Sequence, residues 1–231
     1  MNAYRKLSAF GYFAILLLLA ACATQQPTVQ TGPDAEMIGN GLYKVDNSRV
    51  DEAYMDPDVD FTRFEDIFIV QLDVSNVNIV QPDTSSMRGR HREWELTEED
   101  RTLLQNIYLD KMYRYLFDRG AYLEAERPGE NTLTVKVAIV QIAPTAPKDD
   151  SRSRTTGRGG IYTEGAGSIS IKGVLKDGGT GKIIAVFSDT RESSTFWGEN
   201  DRFNNLADVK NIFDYWAQLF QYRLDEWNGK I

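Results

Sequence analysis

Apolar positions recur with two different periods along this chain, and the change from one to the other lays out its elements. Ile67 to Leu72 is a short run rich in Ile, Val and Phe, which predicts a buried strand. Val74, Val77, Ile79 and Val80 either extend that strand or form a bulge. Thr132 to Ile142 carries the clearest period of two, with Leu133, Val135, Val137 and Ile139 facing one way. Serine and isoleucine alternate from Ser168 to Ile171, and the pattern runs on to Leu175. Asp177-Gly178-Gly179-Thr180-Gly181 then turns the chain, so that Lys182 to Ser188 pairs back as a hairpin. Tyr122 to Ala125 is a further short strand, followed by a turn over 127–131.

The period of 3.6 appears twice. Thr97-Glu98-Glu99-Asp100 has the form of a capping box, and Gly120 suits the left-handed position that ends a helix, so residues 98 to 119 are expected to be helical. Leu104, Tyr108, Leu109, Met112, Tyr115 and Leu116 cover one side, and Leu103, Ile107, Tyr113 and Phe117 cover the other. A helix apolar on two sides needs two covers. The sheet supplies one, and the second is either the irregular, aromatic-bearing strap Leu42 to Phe64 or a partner protein. Asn205 caps the last helix, where Val209, Ile212, Phe213, Trp216, Leu219, Phe220, Leu224 and Trp227 form one broad stripe suited to packing on a sheet.

Strands separated by a helix predict a parallel pair joined by a right-handed crossover. The expected fold is α+β (mixed α/β): a single compact domain over 42–231, with a mixed four- to five-stranded sheet and two principal helices.

The N-terminal segment follows a different pattern. Arg5 and Lys6 precede an apolar run from Leu7 to Ala21, too short for a membrane span of roughly 20 residues and fitting a secretory signal. Leu19-Ala20-Ala21-Cys22 resembles the lipobox of bacterial lipoproteins, which implies removal of residues 1–21 and acylation of Cys22. Several acyl chains hold a protein stably where one does not. The alternative is an ordinary signal with Cys22 left as a free thiol. By resemblance to Gram-negative sorting, Ala23 implies the outer membrane, on its periplasmic face. Residues 22–41 are polar, with two prolines and several glycines, and read as a flexible lipidated tether spanning roughly 20 to 25 Å.

Composition narrows the function classes. Loss of residues 1–21 would remove Arg5 and Lys6 and no acids, moving the net charge from −8 to about −10. That balance argues against nucleic acid as a partner. One cysteine excludes an intrachain disulfide.

Local basic clusters stand out against the acidic background. Lys148, Arg152, Arg154 and Arg158 lie in a long glycine-bearing loop, and Arg88, Arg90, His91 and Arg92 follow the first strands. Arg152, Arg154 and Arg158 are candidate anion-binding residues, because guanidinium groups present forked donors to phosphate or carboxylate. Asp149, Asp150, Glu93 and Glu95 beside these clusters support the alternative of a neutralised, solvated loop. His91 is the only histidine, so a His-based zinc site or a Ser-His-Asp triad would rest on one loop residue. Gly178 to Lys182 lacks the spacing of a phosphate loop and reads as a turn. The tryptophans and tyrosines of the last helix read as core, with a carbohydrate or peptide groove as the alternative.

In order along the chain stand the lipobox, the Asp66-Ile67-Phe68-Ile69-Val70 strand, the Thr132 to Ile139 strand after a Pro-Gly turn, Lys176-Asp177 followed by Thr180-Gly181-Lys182, and the Trp216-Ala217 helix. This order resembles the bacterial lipoproteins grouped as domain-of-unknown-function family 3313, over roughly Gly41 to Trp227. The resemblance implies an envelope location and a mixed α/β domain, and carries over no catalytic residues. The expectation is a non-catalytic interaction or accessory module, with no catalytic, metal or cofactor-binding residues assigned. Its partners would be the membrane, through the lipid anchor, and an envelope protein whose identity, like the oligomeric state, stays open. A glycan or lipid hydrolase working through carboxylates and a periplasmic ligand carrier are the alternatives; an apolar cavity between helix and sheet would point to the last.

Overall fold

The computed structural model describes residues 26–83, 93–145, 162–164, 167–193, 197–199 and 202–231. In chain order the strands before the first helix are β1 (Thr28–Val29), β2 (Met37–Ile38), β3 (Leu42–Asp46), β4 (Glu52–Met55), β5 (Asp66–Ile69) and β6 (Asn78–Ile79). Helix α1 (Glu98–Tyr113) is followed by β7 (Leu123–Glu124), β8 (Thr132–Pro144), β9 (Tyr162–Glu164), β10 (Gly167–Asp177), β11 (Ile183–Glu192), β12 (Trp197–Glu199) and helix α2 (Arg202–Trp227).

Among these residues ten strands join one sheet in the order β1-β3-β4-β11-β10-β8-β5-β7, with β2 on β3 and β6 on β8, while β9 and β12 form a separate pair. The sheet is therefore larger than the expected four to five strands. The additional strands are two to five residues long and pair through backbone groups, so hydrophobic periodicity hardly marks them. In β3, for example, Leu42 and Val45 are the buried positions, and their spacing breaks a period of two.

The predicted parallel pair is present: Asp66 to Ile69 align with Thr132 to Val135, and α1 lies in the connection between them. The long hairpin β10–β11 and the β8–β10 ladder are antiparallel, with a register shift beside Ser170. The Leu42 to Phe64 segment is not an irregular strap but a pair of sheet strands, β3 and β4, followed by a single 3₁₀ turn at Phe61–Arg63. The ordered domain also begins before residue 42. β1 pairs with Val45 and Asp46, β2 pairs with Leu42 and Tyr43, and Glu36 accepts from Lys44 Nζ at 2.6 Å and from the Tyr54 hydroxyl at 2.7 Å. Two short pieces of the expected tether, Thr28–Val29 and Met37–Ile38, thus join the sheet edge.

Both helices lie on one face of the sheet. Leu133, Val135, Val137 and Ile139 of β8 pack in one core with Leu104, Tyr108 and Met112 of α1 and Phe213, Trp216 and Leu224 of α2. Full burial of such side chains stabilises by roughly 1.5–3 kcal/mol each. Lys136 and Lys172 are exposed on the alternate positions, so the opposite sheet face meets solvent.

The capping box forms as read. Thr97 and Asp100 exchange hydrogen bonds, and three acids occupy the first turn. The α-helix ends at Tyr113, and Arg114–Asp118 add a π-helical turn. Gly120 is required for a reason other than the expected left-handed backbone, since its φ is not positive. A Cβ there would stand 2.3 Å from the Leu116 carbonyl oxygen. On the second side of α1, Ile107 is buried whereas Leu103 and Tyr113 are exposed. Phe61, expected to help cover that side, stacks instead on Trp227 of α2, with ring centroids 4.7 Å apart. Helix α2 starts at Arg202, three positions before the expected cap at Asn205, and buries the predicted stripe.

Candidate functional site

A cavity of about 100 Å³ lies between α2 and the sheet. The α2 stripe and the inward positions of β8 and β10 make its walls apolar, through Val135, Val137, Ile171, Leu175, Phe213 and Ala217. Phe187 also lines it, and its ring fills the place where a side chain on Gly173 would stand. Two of the polar lining residues each hold a buried polar atom without a hydrogen-bond partner: the Tyr108 hydroxyl and Nε of Arg223. Tyr108 is 3% exposed and Arg223 is 6% exposed. Burial pushes the Tyr108 hydroxyl well above the usual phenol range, so it stays protonated and can donate.

The β3–β4 turn closes one end of this region. Asn47 and Arg49 both have positive φ, and polar groups of α2 and β11 hold the turn in that shape. Arg223 donates to the Asn47 carbonyl at 2.9 Å and to Glu226 at 2.5 Å. Arg191 donates to the Arg49 carbonyl at 2.7 Å and lies over the Tyr215 ring at 4.4 Å. Asp189 unites the three elements from a position that is 1% exposed. Its carboxylate accepts from Trp216 Nε1 at 2.7 Å, Arg191 Nε at 2.6 Å and the Asp51 backbone N–H at 3.0 Å. Its charge is thus paired and hydrogen-bonded, as burial demands.

A second, polar cleft of about 590 Å³ runs between α1 and residues 70–75, the segment that follows β5, with Lys136 of β8 also lining it. Asp73 and Glu98 border it, and they are the acids that a carboxylate hydrolase reading would use. Asp73 is held below the usual carboxylate range by the hydroxyl and the N–H of Ser75, and Glu98 faces Arg101 at 3.5 Å. Glu36, Asp56, Asp60 and Asp214 shift in the same direction as Asp73. A general acid needs the opposite shift. No group of three metal-ligating side chains occurs among the described residues.

Cys22, Lys148, Arg152, Arg154 and Arg158, and the cluster Arg88, Arg90, His91 and Arg92, all lie outside the described residues. The Gly178 to Lys182 segment is a hairpin turn, in which Asp177 accepts from the backbone N–H groups of Gly179 and Thr180. The apolar pattern placed Tyr108 on a buried helix side without marking its hydroxyl, and Arg223 and Asp189 were passed over. The last two also had a signal: Arg223 interrupts the apolar stripe of α2 beside Leu224, and Asp189 falls on the inward parity of Ala185 and Phe187.

These features define a two-layer α/β domain with an apolar cavity under its C-terminal helix. The family described as Protein of unknown function (DUF3313) matches residues 40–220, and the chain belongs to that family. No curated protein matches it. Among solved structures, the PelC dodecamer from Paraburkholderia phytofirmans is similar at 9% identity and a TM-score of 0.34, covering 69% of this chain and 89% of that one. Protein XCC0632 from Xanthomonas campestris, of the DUF330 family, is similar at 11% identity and a TM-score of 0.38, covering 70% and 87%.

Proposed function

We propose that this chain is an outer-membrane lipoprotein, anchored through Cys22, whose periplasmic domain is a non-catalytic accessory module of the envelope. The observation that carries the reading is the lipobox, Leu19-Ala20-Ala21-Cys22, placed directly before a folded domain whose described residues begin at position 26. The carboxylates support the non-catalytic part: Asp189, Asp56, Asp214 and Asp177 each hold two elements together.

Crosslinking of the full-length chain in its own envelope, followed by extraction and mass spectrometry, tests both parts. Membrane association and one stoichiometric protein partner are expected, and Cys22→Ser is expected to release the chain to the soluble fraction and lose the partner. Continued processing and membrane binding of Cys22→Ser would overturn the anchor. A chain that binds no protein in its envelope would overturn the accessory role. The ligand-carrier reading is the second one, favoured by the apolar cavity beneath α2.

A further inference from the structure

Tyr215 and Tyr222 depart from the core role expected for the tyrosines of α2. Both are exposed, at 39% and 42%. A spacing of seven residues puts them on one face of the helix, about 10 Å apart. Each ring carries a guanidinium: Arg191 stands over Tyr215 at 4.4 Å, and Arg49 and Arg223 stand over Tyr222 at 5.6 Å and 5.7 Å. An arginine stacked on an aromatic ring keeps the edge of its fork available to an acceptor.

The three arginines differ in how their charge is met. Glu226 pairs with the buried Arg223, and Asp189 pairs with Arg191. Among the described residues no carboxylate pairs with Arg49, which is exposed in the β3–β4 turn. Its backbone is also left-handed, with a φ of 64°. An L side chain is strained there and glycine is not. The fold thus keeps an arginine where glycine would sit at ease, and turns its unmatched charge to solvent. Backbone strain of this kind gathers at sites of function.

The surface has the composition of a docking site, since tyrosine and arginine dominate the binding energy of protein interfaces. It is also pre-ordered. Asp189 accepts from Arg191 Nε at 2.6 Å, and the Arg49 carbonyl accepts from Arg191 at 2.7 Å, so little freedom is lost when a partner arrives. Charge selects the partner. The guanidinium groups attract carboxylates, while the exposed Asp46, Asp51, Glu52 and Glu192 stand on the strands and turn that flank them. A broad anionic surface would meet those acids too and be repelled, whereas one extended chain can pass between them.

We propose that the face of α2 bearing Tyr215 and Tyr222, together with Arg49 and Arg191, is the docking site for an acidic, extended segment of a protein partner. A carboxylate of that segment pairs with the Arg49 fork, and its chain lies across the two tyrosine rings. This inference rests on the accessory-module reading and names the surface and the chemistry of its partner.

The test uses the full mature chain carrying Cys22→Ser, isotopically labelled for nuclear magnetic resonance. The probes are a decapeptide of alternating aspartate and serine and its counterpart with asparagine in place of aspartate. Saturable shifts at residues 47–50 and 215–222 are expected with the aspartate peptide alone, with affinity roughly tenfold weaker in Arg49→Gly, as loss of one charge-assisted pair allows. Arg49→Gly is expected to leave the domain at least as stable to urea, because relief of the left-handed backbone offsets the freedom glycine adds to the unfolded chain. Absence of a saturable response, an equal response to both peptides, or unchanged affinity in Arg49→Gly overturns the proposal. A less stable Arg49→Gly domain does so as well, since the side chain would then serve the fold. Binding to phosphatidylglycerol vesicles without binding to the peptide would overturn it in favour of a lipid surface. Crosslinking of the full-length chain in its envelope separates this inference from the reading beneath it. A partner captured equally by the natural chain and by Arg49→Gly removes the docking site and leaves the accessory module standing, whereas no partner in either removes both.

Discussion

Asp189 shows how much one side chain organises here. A carboxylate at 1% exposure is tolerable only because Trp216, Arg191 and the Asp51 N–H all donate to it. Asp189→Ala leaves the Arg191 guanidinium and the Trp216 N–H without their acceptor, and is expected to cost about 3–5 kcal/mol in a urea titration. Asp189→Asn keeps one accepting oxygen and is expected to cost less. The inward position of residue 189 was legible, because it shares parity with Ala185 and Phe187. Its partners were not, because Trp216 is 27 residues away and Asp51 is 138. The same holds for Tyr108 and Arg223: the pattern marks them as buried, but only the tertiary arrangement shows that their donors are unmatched.

At the scale of elements, what could be read from sequence follows hydrophobic periodicity and local capping. α1 begins where Thr97 and Asp100 cap each other, and Thr97→Ala is expected to lower stability by about 1 kcal/mol in the same titration. β8 and the β10–β11 hairpin were readable because their alternation survives over ten residues or more. β1 to β4 were not, since strands of two to five residues are fixed by ladder bonds such as Gln30 N–H to the Lys44 carbonyl at 2.8 Å, and backbone bonds leave no mark in side-chain pattern. Gly120 teaches the same point: glycine at the end of α1 was anticipated, but the cause is the Leu116 carbonyl rather than φ.

Across the whole molecule, ion pairs tie elements distant in sequence, and they give the fold a pH dependence. Burial alone would raise Asp56 and Asp214, but Lys182 at 2.5 Å and Lys111 at 3.0 Å hold both below the usual carboxylate range. In the unfolded chain these groups take up protons near pH 4. Their contribution is therefore complete above about pH 5 and is lost as the pH falls through the lower folded values. A thermal series from pH 7 to pH 3 is expected to show a falling Tm below pH 5, less steeply in Lys111→Gln, which has already lost the α1–α2 pair. The family and the overall class were legible at this scale because ordered motifs survive where individual ones are short; the cavity was not, because it exists only once α2 lies on the sheet. The pairing of β1 and β2 with β3 has a mechanical consequence. Were the chain held at Cys22, as proposed, a pull on the domain would load the sheet edge one ladder bond at a time, as a zip is opened rather than as a rope is snapped. Each strand that peels away lengthens the leash, and freeing residues 26–41 adds roughly 55 Å of reach. Under the proposed anchor the same stretch would keep the domain close at rest and let it extend under load.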